Sequence, residues 1–133
     1  MIKELIAVAA GGALGSAARY LISYSWLAGL TVGGLPAGTF TVNVVGSMTF
    51  TVNVVGSMLI GFLAETLNSS MAVWLLCVGF CGGFTSFSTF SADFIRLVRA
   101  GNHTAALLYV IVTVAICALG TLAGAKIATT LGR

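Results

Sequence analysis

The chain has 133 residues, 59% of them hydrophobic and only 7% charged, with six Lys/Arg against three Asp/Glu. A soluble domain carries about 25% charged residues, and so short a chain cannot hide this much apolar surface from water. A soluble globule and intrinsic disorder are excluded, and six scattered cations with a net charge of +3 make no basic patch for nucleic acid. What remains is an all-α integral membrane protein, one membrane domain over residues 1–133 with four transmembrane helices, because four stretches of about 20 residues fill the length.

The first span is predicted over residues 5–26. Its glycines and alanines, Gly11, Gly12, Ala13, Gly15, Ala17 and Ala18, let a neighbouring helix approach closely. Arg19 interrupts the apolar run, so the segment reads as a span rather than a leader peptide. The connector at 28–38 holds four glycines and Pro36 and reads as a loop. The second span is predicted over 39–65, with a short polar linker at 66–70.

The second span contains a perfect tandem repeat: residues 39–48 and 49–58 both read TFTVNVVGSM. Ten helical residues turn through about 1000°, or about 280° net, and rise about 15 Å. The copies therefore face directions about 80° apart at different depths, and only one of Asn43 and Asn53 can occupy a given place. With both copies the span exceeds an ordinary membrane crossing and must tilt, protrude or extrude a segment. The second copy is expected to hold the membrane register. Displacing residues into the glycine-rich connector costs little entropy, whereas holding the first copy would push Leu59, Ile60, Phe62 and Leu63 out past the short linker.

The third span is predicted over 71–98. Within it, Gly79-Phe80-Cys81-Gly82-Gly83-Phe84-Thr85-Ser86-Phe87-Ser88-Thr89-Phe90-Ser91 joins paired glycines to five hydroxyls in seven residues. Such a string predicts a broken helix, tolerated at membrane depth only where it is buried in protein or lines a cavity. Phe84, Phe87 and Phe90 recur every three residues and predict one slowly turning stripe. The fourth span is predicted over 104–130. Cys77, Cys81 and Cys117 sit in apolar stretches without enough companions for a metal site and read as small buried residues.

The acids Glu4, Glu65 and Asp93 lie at or near span ends, and the only histidine, His103, lies in a turn. Nothing at membrane depth would activate a hydroxyl nucleophile, so an enzyme is not expected. Basic residues show no bias, at three against two, or against three when Arg19 is counted. Lys3, Lys126 and Arg133 fall on one side, with Arg96, Arg99 and the span-end Arg19 on the other. The positive-inside rule then fixes no orientation, and dual topology with antiparallel pairing is the expected consequence.

The chain resembles the Fluc/CrcB family of small bacterial fluoride channels. The resemblance rests on Gly11-Gly12-Ala13-Leu14-Gly15 with Arg19, on Gly38-Thr39 with a V-N-x-x-G-S motif, on the string at 79–91, and on Tyr109 with Thr113 one turn apart. It covers essentially the whole chain, and the duplicated ten residues depart from it. The resemblance implies an antiparallel dual-topology homodimer with two pores in the bacterial inner (plasma) membrane. It implies a fluoride pathway lined by Phe87, Phe90 and the span-two Asn (Asn53 or Asn43), with hydroxyl donors from Thr89, Tyr109 and Thr113 and with Arg19 at the entrance. It also implies a structural Na+ at the dimer centre, held by backbone carbonyls of Gly82 and Thr85. Two other readings stay open from the residues alone. A small proton-coupled multidrug exporter would need an embedded Glu in the first span, which is absent. A non-transporting structural subunit would carry no flux.

Overall fold

The computed structural model of the chain describes residues 1–25 and 48–132. The connector at 28–38, the first copy of the repeat up to residue 47, Asn43 with it, and Arg133 lie outside the described residues. The elements are α1 (Ile2–Ser25), α2 (Met48–Thr66), α3 (residues 70–84), α4 (Phe87–Arg99) and α5 (His103–Leu131). Among the described residues, four stretches are long and apolar enough to cross a membrane: Ile2–Ile22, Met48–Thr66, Ser70–Arg99 and His103–Leu131. Large apolar side chains such as Leu14, Leu107, Leu119 and Leu122 stand exposed on the outer faces, where lipid would cover them.

Glycine determines how the helices meet. A Cβ on Gly11 would overlap the Leu75 carbonyl, and one on Gly15 the Phe80 carbonyl. From the other side, a Cβ on Gly83 would overlap Gly12. Helix α1 thus lies backbone-to-backbone along α3. Helices α2 and α5 cross in the same way, Gly61 against Thr121 and Gly124 against Met58. Without a hydrophobic drive inside a membrane, such close contact supplies the packing energy.

Helix α3 opens with one α-turn at Ser70–Ala72, runs as a π-helix over Val73–Cys81, and closes with the turn Gly82–Phe84. The break expected at the paired glycines falls later. Gly82 is helical, with φ −63° and ψ −39°, and the chain leaves the helix at Thr85 (φ −78°, ψ 160°) and Ser86 (φ −147°, ψ 105°). Gly83 serves packing against α1 rather than the break.

The three-phenylalanine stripe does not survive this change of direction. Phe84, before the break, is buried and stacks on Phe80 at 5.9 Å. After it, Phe90 is 8% exposed and Phe87 is 78% exposed. The turn between α4 and α5 occupies residues 100–102, inside the gap at 99–103 left between the predicted third and fourth spans. Gly101 takes φ +78°, the Asn102 amide donates to the Leu97 carbonyl, and the Gly101 amide donates to Val98. This is the Schellman ending that glycine permits.

Candidate functional site

The break in the third span is organised by one side chain of the second. Asn53 Oδ1 accepts the Ser86 amide N–H at 2.8 Å, and Asn53 Nδ2 donates to the Ser86 carbonyl at 3.3 Å. Ser86, 6% exposed, then caps α4: its Oγ accepts the Thr89 amide at 3.2 Å. The Ser86 and Thr89 hydroxyls share a further hydrogen bond, and Ser86 Oγ also lies 3.2 Å from Ser88 Oγ. An extended backbone at this depth needs such partners, because an unmet amide away from water carries the full desolvation penalty.

The diverted donors have a consequence for the carbonyls upstream. In a continuous helix the Ser86 amide would serve the Gly82 carbonyl and the Thr89 amide the Thr85 carbonyl. Here the first goes to Asn53 and the second to the Ser86 hydroxyl. Gly82 is exposed, with open space where a Cβ would stand. The Thr85 hydroxyl turns back to Cys81 at 2.9 Å, and Ser16 Oγ donates to the Gly83 carbonyl at 3.3 Å.

Phe90 stacks on Tyr109 with ring centroids 5.2 Å apart, inside a small core with Phe94, Leu97 and Val110. Phe87 lies 5.4 Å from Phe90, tilted by 38°, and projects from the subunit. Tyr109 is 1% exposed, and its hydroxyl donates to Asp93 Oδ2 at 3.4 Å, while Arg96 holds Oδ1 at 2.8 Å. Thr113, one turn beyond Tyr109, is 4% exposed, and its hydroxyl has no partner among the described residues.

A cleft of about 320 Å³ opens beside the break, lined in part by Ser16, Arg19, Thr49, Ser86 and Thr89. It gathers Arg19 with Thr89, two residues 70 positions apart in the sequence. The structure thus brings Asn53 and Thr89 onto Ser86, groups Phe87, Phe90 and Tyr109, and sets Thr113 along the same helix. Gly82 and Thr85 flank the end of α3.

Two participants escaped the sequence reading. Ser86 was one hydroxyl among five. Asp93 reads in the sequence as an end-of-span charge, yet its side chain is only 19% exposed. Its position sixteen residues before Tyr109 gives no local sign of their contact.

The sequence model of CrcB-like proteins, described as Camphor Resistance (CrcB), matches residues 47–125. The chain belongs to the CrcB family. A relative from Bacteroides fragilis, named fluoride-specific ion channel FluC, is 37% identical over 92% of this chain and 94% of its own. One from Nitrobacter hamburgensis, fluoride-specific ion channel FluC 1, is 40% identical over 92% and 93%. A FluC relative from Geobacter sulfurreducens is 39% identical over 92% and 94%. With four spanning helices and these relatives, the protein is a multi-pass bacterial membrane protein. The family match begins at residue 47 and so takes in the second copy of the repeat whole, but only the last two residues of the first.

Proposed function

We propose that the protein is a passive fluoride channel of the bacterial inner membrane, lowering fluoride toxicity by letting cytoplasmic fluoride escape. It works as an antiparallel dual-topology homodimer. The observation that carries this reading is the end-to-end likeness to relatives named fluoride-specific ion channels. Hydrofluoric acid enters cells as a neutral weak acid and ionises inside, so an anion-selective exit needs no energy input.

The residues suit that task. Phe87 stands out from the subunit, where a second copy would place it in a shared space, and an aromatic edge carries positive potential toward a small anion. The Thr113 hydroxyl is a buried donor with no partner among the described residues, and fluoride is a strong acceptor. Thr89 and Arg19 share the cleft that would form the entrance. Asn53 serves the path chiefly by holding the break open through Ser86. Tyr109 has one phenolic proton, which is directed at Asp93.

A structural sodium at the dimer centre belongs to the same proposal. The carbonyls of Gly82 and Thr85 are the ones whose helical donors were diverted, and hard carbonyl oxygens suit an alkali cation. Bound there, the ion supplies the positive charge that these dipoles otherwise lack. Removing sodium completely should weaken dimerisation as well as flux, and analytical ultracentrifugation in matched sodium-free detergent reads the first without the second.

The functional test is efflux from liposomes. We expect fluoride efflux that is independent of a proton gradient, with chloride retained. We also expect efflux to be lost on Asn53→Ala and kept on Asn43→Ala. Fluoride retention by correctly assembled protein would favour a non-transporting subunit, and dependence on a proton gradient would favour a coupled exporter.

A further inference from the structure

The repeat poses a problem that the channel reading does not solve. Sliding α2 by ten residues leaves every contact within the repeat chemically unchanged: Asn43 replaces Asn53, Gly46 replaces Gly56, and Met48 replaces Met58. The close approach of Gly56 to Phe84 and Thr85 would be met equally well by Gly46, and the backbone that faces Gly124 would be backbone in either case. Nothing in the ten residues themselves can choose which asparagine reaches Ser86. The choice must come from outside those places: upstream, Gly38 would stand for Met48, a smaller residue that brings no clash, and downstream the sequences diverge after residue 58.

There the shift would put Thr49 for Leu59, Phe50 for Ile60, Thr51 for Gly61 and Val52 for Phe62. Three of these places exchange one side chain for another. The fourth accepts no side chain, since a Cβ at position 61 would overlap the Thr121 carbonyl oxygen and crowd the carbon behind it. Threonine is branched at Cβ and stiff, and the obstacle is helix backbone, which cannot swing aside as a flexible side-chain tip can.

We infer that Gly61 is the register-setting residue of the second span. It admits the α2–α5 crossing only when the second copy, with Asn53, faces Ser86, and it excludes the first copy because Thr51 would then meet Thr121. Gly61 touches neither Asn53 nor the break, so it is a positioning residue. Its part in conduction rests on the fluoride reading above, whereas its part in register does not.

Disulfide trapping reads register without flux. A Cβ built on Gly120 lies 3.9 Å from the Met58 Cβ, inside the range for a disulfide. In a background with Cys77, Cys81 and Cys117 changed to Ala, the Met58→Cys/Gly120→Cys pair should oxidise readily. The Met48→Cys/Gly120→Cys pair should stay reduced. Adding Thr51→Gly removes the clash from the shifted register while leaving the linker and Gly61 intact, and a Met48→Cys/Gly120→Cys link should then appear.

Exchanging the two places, with Thr51→Gly and Gly61→Thr together, should move the link predominantly to Met48→Cys. In liposomes the same exchange should transfer sensitivity from Asn53→Ala to Asn43→Ala. The inference is overturned if Met48→Cys already links with Thr51 in place, or if Thr51→Gly leaves it unlinked. The second result would assign register to the burial of residues 59–63 instead. Correct links without fluoride flux would leave the register inference standing and count against the channel.

Discussion

At the scale of single residues, Thr113 and the two phenylalanines separate folding from conduction. An unpartnered hydroxyl buried in the bundle carries a desolvation penalty of about 1–3 kcal/mol. Thr113→Val keeps the shape and removes the hydroxyl. Thermal unfolding in detergent should therefore show equal or higher stability, while fluoride flux falls. A drop in stability would mean that the hydroxyl has a partner in the native assembly other than the conducted ion. Phe90 packs on Tyr109 and is buried, whereas Phe87 is exposed on the isolated subunit. Phe90→Ile should then lower the stability of the subunit by about 1–3 kcal/mol, since a changed shape in a packed core forces repacking. Phe87→Ile should leave subunit stability within about 0.5 kcal/mol but reduce flux. The sequence stripe treated these rings alike, because spacing by three describes a continuous helix and the helix is interrupted between Phe84 and Phe87.

Among the elements, the decisive contacts are between backbones. Gly15 sits where a Cβ would overlap the Phe80 carbonyl and approach the Phe84 amide. Gly15→Ala should force α1 away from α3 and cost about 1–3 kcal/mol, whereas Gly82→Ala meets open space in the subunit. A loss of folded yield for Gly15→Ala, with Gly82→Ala close to wild type in the monomer, is the expected pattern in size-exclusion chromatography. Equal behaviour of the two would mean that α1 packs less closely than described. Sequence composition revealed that small residues line α1, because their density needs no tertiary knowledge. The four apolar stretches were legible for the same reason, and so was the turn at Gly101. The position of the break was not. Gly82 and Gly83 have the local signature of a helix breaker, but Gly83 is small to admit α1 and Gly82 faces open space within a helical turn. The break is fixed instead by a long-range partner, Asn53, 33 residues away from Ser86. The contact of Asp93 with Tyr109 was hidden likewise, since it depends on how α4 lies on α5.

For the whole molecule, the lack of charge bias makes the proposed antiparallel pairing testable. With four spans, Lys3, Lys126 and Arg133 share one side, and Arg96, Arg99 and Arg19 lie toward the other. Orientation follows the surplus of Lys/Arg in short loops near span ends, and here there is no surplus. Substituting Leu67, Asn68 and Ser69 in the linker between α2 and α3 with Lys would make the count six against three. Substituting Ala100, Asn102 and His103 with Lys biases the opposite side by the same amount. Each set lies in an exposed or half-buried turn or, for His103, at the exposed first residue of α5, outside the helix contacts described above, so folding should survive both. If two copies must face opposite ways, either variant alone should insert in one orientation and lose most of its fluoride flux. Expressing the two together should restore it, because each then supplies the orientation the other lacks. Labelling of a cysteine in each turn by a membrane-impermeant reagent confirms the orientation independently of transport. Full flux from a variant shown by labelling to insert one way only would refute antiparallel pairing, and would leave a channel in which both subunits share one orientation.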